Sequence, residues 1–196
     1  MKLSEIKNRV DIAGWLEQEG KTGLGLEVGV QHGFFTHQLA SNWKSAKRIY
    51  GVDCWKRQEN YDDACNIPDR LQLRNYRGAI ERVRDLDVTL YRMMSGEFRD
   101  LVGYTNEVFD LIYIDSNHSY ETSLEEFHQW WDVVGVGGLL AGHDYVDAST
   151  HLGDYGVKRA VHEFMKGRQI GGERLHVTSD NNDASWIIQK RGDDIH

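Results

Sequence analysis

Apolar residues follow two alternating rhythms along this chain. Short β-rich runs, most of them closed by glycine or an acidic residue, alternate with longer segments whose apolar positions lie three and four apart. The runs 24–28, 49–52, 88–91, 111–114 and 139–141 are too short for helices and read as buried strands. Between and around them, 4–19, 34–43, 70–84, 97–102 and 157–165 read as helices. In the first, Ile6, Val10, Ala13 and Leu16 form the stripe, Ser4 can serve as N-cap, and Gly20 follows the end. A further helix between the fourth and fifth strands carries Leu124, Phe127, Trp130, Trp131 and Val134 at helical spacing. The runs 175–178 and 186–189, joined by the polar segment 179–185, predict a terminal antiparallel hairpin. Strand alternating with helix implies a mostly parallel sheet, helices on both faces and right-handed crossovers.

This pattern predicts one α/β domain over residues 1–196, opened by a helical segment within 1–22. The most irregular stretch is 54–69, which holds the only proline, Pro68, and reads as a cover over a site. Trp55, Tyr61, Tyr145 and Tyr155 are candidates for an aromatic part of that cover.

Polar residues cluster where strands end. Asp115, Ser116, Asn117 and His118 follow the fourth strand; His143, Asp144 and Tyr145 follow the fifth. In an open parallel sheet these ends share one edge, where ligands bind. Two carboxylates and two imidazoles are thereby expected at one rim. Glu27 lies at the end of the first strand, and Gly29 and Gly33 sit between that strand and a helix. Glycine permits a sharp turn and close approach of a ligand to the backbone, and a helix N-terminus offers free N–H groups. Asp53 ends the second strand, 24 residues after Gly29, where a carboxylate can accept from ribose hydroxyls. The spacing favours nucleoside binding, although G-x-x-x-G alone equally serves helix-on-strand packing.

Composition narrows the rest. Forty per cent apolar residues allow a real core, and no apolar run approaches the ~20 residues that span a bilayer. The charged start does not resemble a signal peptide, and Cys54 and Cys65 are too few for a disulfide framework, so a soluble cytoplasmic protein is expected. A net charge of −8 disfavours nucleic-acid and membrane partners. Arg70, Arg74, Arg77, Arg82 and Arg84 are interleaved with acids and read as a solvated helix face. A homo-oligomer is compatible with all of this.

The segments LEVGVQHG, GVDCW, FDLIYIDSNHSYE and GGLLAGHDY, in this order, resemble the class I S-adenosylmethionine-dependent methyltransferases. The resemblance is strongest to the bacterial group called methyltransferase family twenty-four, which carries IDxNHxY and GHDY-like segments. It runs from about Leu24 to Lys190 and implies a Rossmann-like, mostly parallel seven-stranded sheet with a C-terminal antiparallel hairpin. It further implies that Glu27, Gly29 and Gly33 line the methionine part of the cofactor, that Asp53 holds the ribose, and that Ser95 lies near the adenine. Asp115 would stand between cofactor and substrate. By similarity to metal-dependent O-methyltransferases, Asp115, His143 and Asp144 would face Mg²⁺ or another divalent cation. His143 departs from that group's carboxylate, and imidazole is a poor Mg²⁺ ligand. Either the metal differs, or His143 hydrogen-bonds without ligating, or no metal binds. The implied reaction is O-methylation of a small hydroxylated molecule, with His118, or else His143, as general base. A non-catalytic nucleoside-binding protein and a nicotinamide-dependent oxidoreductase are the alternatives; the terminal hairpin speaks against the second.

Overall fold

The computed structural model describes residues 2–59, 61–150, 153–180 and 184–194. Five strands, β1 (Leu24–Val28), β2 (Arg48–Asp53), β3 (Val88–Arg92), β4 (Phe109–Ile114) and β5 (Val134–Gly142), pair in parallel. Two more extend the sheet: β9 (Trp186–Gln189) pairs antiparallel with β5, and β8 (Leu175–Val177) pairs antiparallel with β9. The order is β3-β2-β1-β4-β5-β9-β8. The chain runs outward from β1 to β3, then returns to β4, so β1 and β4 flank the topological switch point where ligands of such sheets bind.

Side chains alternate across each strand, as the pleat requires. Phe109 and Ile112 of β4 join Trp186 of β9 in the core beneath α4 (Ser95–Thr105), α5 (Tyr120–Trp131) and α6 (Val157–Gly167). Leu111 and Tyr113 face the opposite way, into the core beneath α1 (Asp11–Gln18) and α2 (Phe34–Asn42). A third helix, α3 (Asp69–Val83), buries Ala79 against Val30 and Trp55 and exposes all five arginines of its region. Among the described residues no helix is long and apolar enough to cross a membrane.

The structure corrects four expectations. The N-terminal helix is not continuous over 4–19: Leu3–Glu5 is a 3₁₀ turn and α1 starts at Asp11. The Asp11 carboxylate accepts the N–H groups of Lys7 and Asn8, and Asn8 accepts that of Val10, so these side chains break the helix and Ser4 caps nothing there. Val134 belongs to β5, not to the preceding helix. That strand is longer than its apolar run because the glycine-rich lead-in 135–138 extends it past a register shift. Finally, β6 (Asp147–Thr150) and β7 (Gly153–Gly156) form a hairpin that the polar sequence there did not announce.

Candidate functional site

Three loops meet at the C-terminal edge of β1, β2 and β4. The Gly29 N–H donates to the Val52 carbonyl at 2.9 Å and the Asp115 N–H to that of Val28 at 2.7 Å. Gly29 has φ +90°, and a Cβ there would lie 2.0 Å from the Asp115 carbonyl oxygen. Only glycine allows the loop after β1 to touch the loop after β4. Gly33, at φ +75°, caps α2 against Ala79. Asp53 accepts the Gln31 N–H at 2.8 Å and the Trp55 N–H at 2.7 Å, one on each oxygen. A carboxylate has about four acceptor sites, so both oxygens can still accept a ribose hydroxyl.

Glu27 is buried at the end of β1. It is 2% exposed and accepts the Thr36 hydroxyl of α2. Burial pushes its carboxyl up to about 8, against the Thr36 bond and with the repulsion of Asp115. Ser95, at the start of α4, donates to Glu126 at 2.6 Å, and Ser116 donates to the other oxygen of the same carboxylate. Glu126 thus ties the loop after β4 to α4 from inside α5. Its signal was in the sequence: an acid four positions before Trp130, on the apolar helix face.

The rim beyond β4 and β5 is a cluster of acids and imidazoles. His118 Nε2 lies 3.0 Å from Asp144 Oδ2 and 3.7 Å from Asp115 Oδ1. His143 Nδ1 lies 3.1 Å from Asp144 Oδ2 and 3.7 Å from Asp115 Oδ1. On its other oxygen Asp115 pairs with Arg9 Nη1 at 3.1 Å. Ser119 stands at the N-cap position of α5, so Asp115 and Ser116 lie in the loop before it. Burial opposes the charge on His118, but contacts with Asp115, Asp144 and Asp63 outweigh it and raise its pKa. Burial likewise opposes ionisation of Asp144, while His118 and His143 hold its carboxyl well below the ordinary range.

Of the four aromatic residues expected over the site, two reach it. Tyr155 stacks on the His118 ring, with centroids 5.0 Å apart and planes at 13°. The Tyr61 hydroxyl lies 3.3 Å from His118 Nδ1. Trp55 is fully buried against Tyr76 and donates its indole N–H to the Gln31 carbonyl, because the chain turns inward there at φ +40°. Tyr145 meets His162, on α6, instead.

The model of methyltransferase family twenty-four, described as a methyltransferase domain, matches residues 26–145, more than half of the chain. The chain belongs to this family of methyltransferase domains. Its fold is that of class I S-adenosylmethionine-dependent methyltransferases. An O-methyltransferase from Bacillus cereus in complex with SAH aligns with TM-score 0.64 at 15% identity, over 93% of this chain and 80% of that one. The O-methyltransferase TomG from Streptomyces achromogenes, in complex with SAM, aligns with TM-score 0.60 at 11% identity, over 93% and 79%. The N-methyltransferase NodS from Bradyrhizobium japonicum aligns with TM-score 0.58 at 17% identity, over 93% and 94%. A search of curated proteins returns no match. The fold is thus shared by enzymes that methylate different atoms, and the acceptor of this methyltransferase has to be argued from its own rim.

In that rim one group has the geometry of a cation site. One ligand atom each of Asp115, His118 and Asp144 lies within 4.8 Å of the others. His118 Nε2 is buried and has no aligned hydrogen-bond partner, despite the nearby carboxylates. Two carboxylates and one imidazole suit Mn²⁺, Fe²⁺ or Zn²⁺ better than Mg²⁺. The residues of this methyltransferase therefore fit a divalent cation, with His118 in the set and His143 at similar distances from the same carboxylates.

Proposed function

We propose that this chain, as a single domain, methylates a hydroxyl of a small molecule with S-adenosylmethionine, and that Asp115, His118 and Asp144 hold a divalent cation beside it. The observation that carries this reading is the convergence of those three ligand atoms at the switch-point edge, next to the Gly29 loop. In support, the solved relatives that match include O-methyltransferases in complex with SAH or SAM.

Each residue then has a physical task. Gly29 and Gly33 shape the backbone cradle for the methionine end of the cofactor. Glu27 acts on that cradle through Thr36, by holding α2 to β1. Asp53 accepts from the ribose, and Ser95 stands by the adenine, fixed by Glu126. Bound S-adenosylmethionine supplies an electrophilic methyl group on a sulfonium, and a bound cation supplies Lewis acidity that lowers an acceptor hydroxyl's pKa. The protein's remaining work is alignment and proton removal. His143 is tied through Nδ1 to Asp144 at 3.1 Å, so its other ring nitrogen takes the proton in this reading. The two histidines thereby exchange the roles that the sequence pattern favoured.

The test is calorimetric titration with S-adenosylmethionine, with NAD as control, followed by methyl transfer to panels of hydroxyl and amine acceptors with and without Mn²⁺. The expected result is binding of S-adenosylmethionine alone and cation-stimulated transfer to a hydroxyl. Absence of S-adenosylmethionine binding overturns the cofactor reading, and transfer only to amines overturns the acceptor reading.

A further inference from the structure

The insertion after β2 and the hairpin β6–β7 converge on one side chain. From the insertion, Asp63 Oδ2 lies 3.0 Å from His118 Nδ1, and the Asp63 side chain is only 3% exposed. The same insertion brings the Tyr61 hydroxyl to the His118 backbone N–H at 3.3 Å. From the hairpin, Tyr155 stacks on the His118 ring and its hydroxyl donates to Asp63 Oδ2 at 3.4 Å. The Gly156 N–H donates to the His118 carbonyl at 2.8 Å. A Cβ on Gly153 would lie 2.0 Å from the Asp62 carbonyl oxygen, so hairpin and insertion touch backbone to backbone.

This arrangement decides which nitrogen of His118 is available. An ionised carboxylate only accepts hydrogen bonds, so Nδ1 must carry the proton that Asp63 receives. Nε2 is then the nitrogen whose proton an arriving cation would displace to take up the lone pair, and it is the atom that is buried without an aligned partner. Outer carboxylates of this kind fix the tautomer and orientation of a ligating imidazole.

We infer that Asp63 positions His118 as a cation ligand, so that cation binding and closure of the insertion stabilise each other. The inference rests on the reading that Asp115, His118 and Asp144 hold the cation. It adds that the insertion supplies a working part of the site. The coupling is reciprocal by linkage: whatever holds Asp63 on His118 strengthens the cation, and the cation holds the insertion closed. The insertion is suited to such a role because, beyond the buried Trp55, side-chain hydrogen bonds within it and to α3 hold much of its course. Asp63 accepts the Cys65 N–H, Asn66 bonds Gln58, and Gln72 of α3 bonds the Cys65 carbonyl.

The test uses cation-free protein and Mn²⁺ alone, read by calorimetry and by hydrogen exchange of residues 61–66. The wild type is expected to bind Mn²⁺ and to slow exchange in 61–66 when it does. Asp63→Asn is expected to weaken Mn²⁺ about 10-fold or more, with Asp63→Glu restoring most of the loss. Asp115→Asn is expected to abolish the exchange protection. Unchanged Mn²⁺ affinity in Asp63→Asn overturns the inference while leaving the cation site standing. Equal weakening in both Asp63 variants, with no cation-dependent protection in the wild type, assigns Asp63 a merely structural role and also overturns it. A wild type that binds no Mn²⁺ removes the cation reading and this inference together.

Discussion

The loop 29–33 and the insertion 54–69 leave the same edge of the sheet from neighbouring strands, yet different forces hold them. The first is tied by main chain: Gly29 to Val52, Gly33 to Val30, and Asp115 across to Val28. The second is tied by side chains: Asp69 to the Arg57 N–H, Asn66 to Gln58, and Asp63 to His118. The bonds of Gly29 to Val52 and of Asp115 to Val28 continue the strand ladders and cannot release without disturbing the sheet. Side-chain bonds of an insertion can release one by one, each contributing about 1 kcal/mol. In the proposed reading, the first method suits a cofactor cradle that holds one shape, and the second suits a cover that admits an acceptor.

The largest effect should come from Gly29→Ala. The new methyl group would meet the Asp115 carbonyl and sit at a positive φ, at a cost of about 4 kcal/mol, read by urea denaturation, with loss of S-adenosylmethionine binding. A variant of near-wild-type stability that still binds the cofactor would break the distinction between the two regions. Next, Asp115→Asn should lower methyl transfer about 100-fold with a much smaller change in S-adenosylmethionine affinity, and a chelator should mimic it in the wild type. Equal losses in turnover and cofactor affinity would place Asp115 on the cofactor alone.

Glu27 supplies a pH test of the cradle. Its carboxyl is held near 8 in the folded protein against an ordinary value of 4.5. Below that ordinary value both states keep the proton and Glu27 contributes nothing to pH dependence. Between about 4.5 and about 8 the unfolded chain has lost a proton that the folded chain keeps, so stability falls as pH rises, on the order of several kcal/mol. Glu27→Gln keeps an acceptor for Thr36 and should flatten that fall, which denaturation at pH 5 and pH 8 would show. An unchanged slope would mean that Glu27 is ionised in the fold. The smallest effect belongs to the cover: Tyr155→Phe removes one long hydrogen bond to Asp63 and should cost less than about 1 kcal/mol while keeping the stack on His118. A larger loss would mean that the cover is as rigidly held as the cradle.

How much could be read in advance follows the same division. β1 and β9 begin and end where their apolar runs do, because hydrophobic burial is written locally. The end of β5 was legible and its start was not, since glycines carry no pattern of their own. The break before α1 depends on Asn8 and Asp11 folding back on the chain, a choice that the apolar stripe does not reveal. Trp55 was read as a cover and lies in the core, because an aromatic residue in an irregular stretch has no periodicity to declare its direction.

The alternation of strand and helix, the parallel sheet with its terminal antiparallel pair, and the gathering of polar residues at the strand ends are all written in the order of residues along the chain. Those properties depend on neighbours within a few positions and on the chain's handedness. It took the three-dimensional structure to bring His118 and His143 onto the same two carboxylates, to bury Glu27, and to set Asp63 behind His118. Asp63 and His118 are 55 positions apart. Their meeting depends on how an insertion and a hairpin close over the rim, and no local pattern of apolar and polar residues encodes that distance.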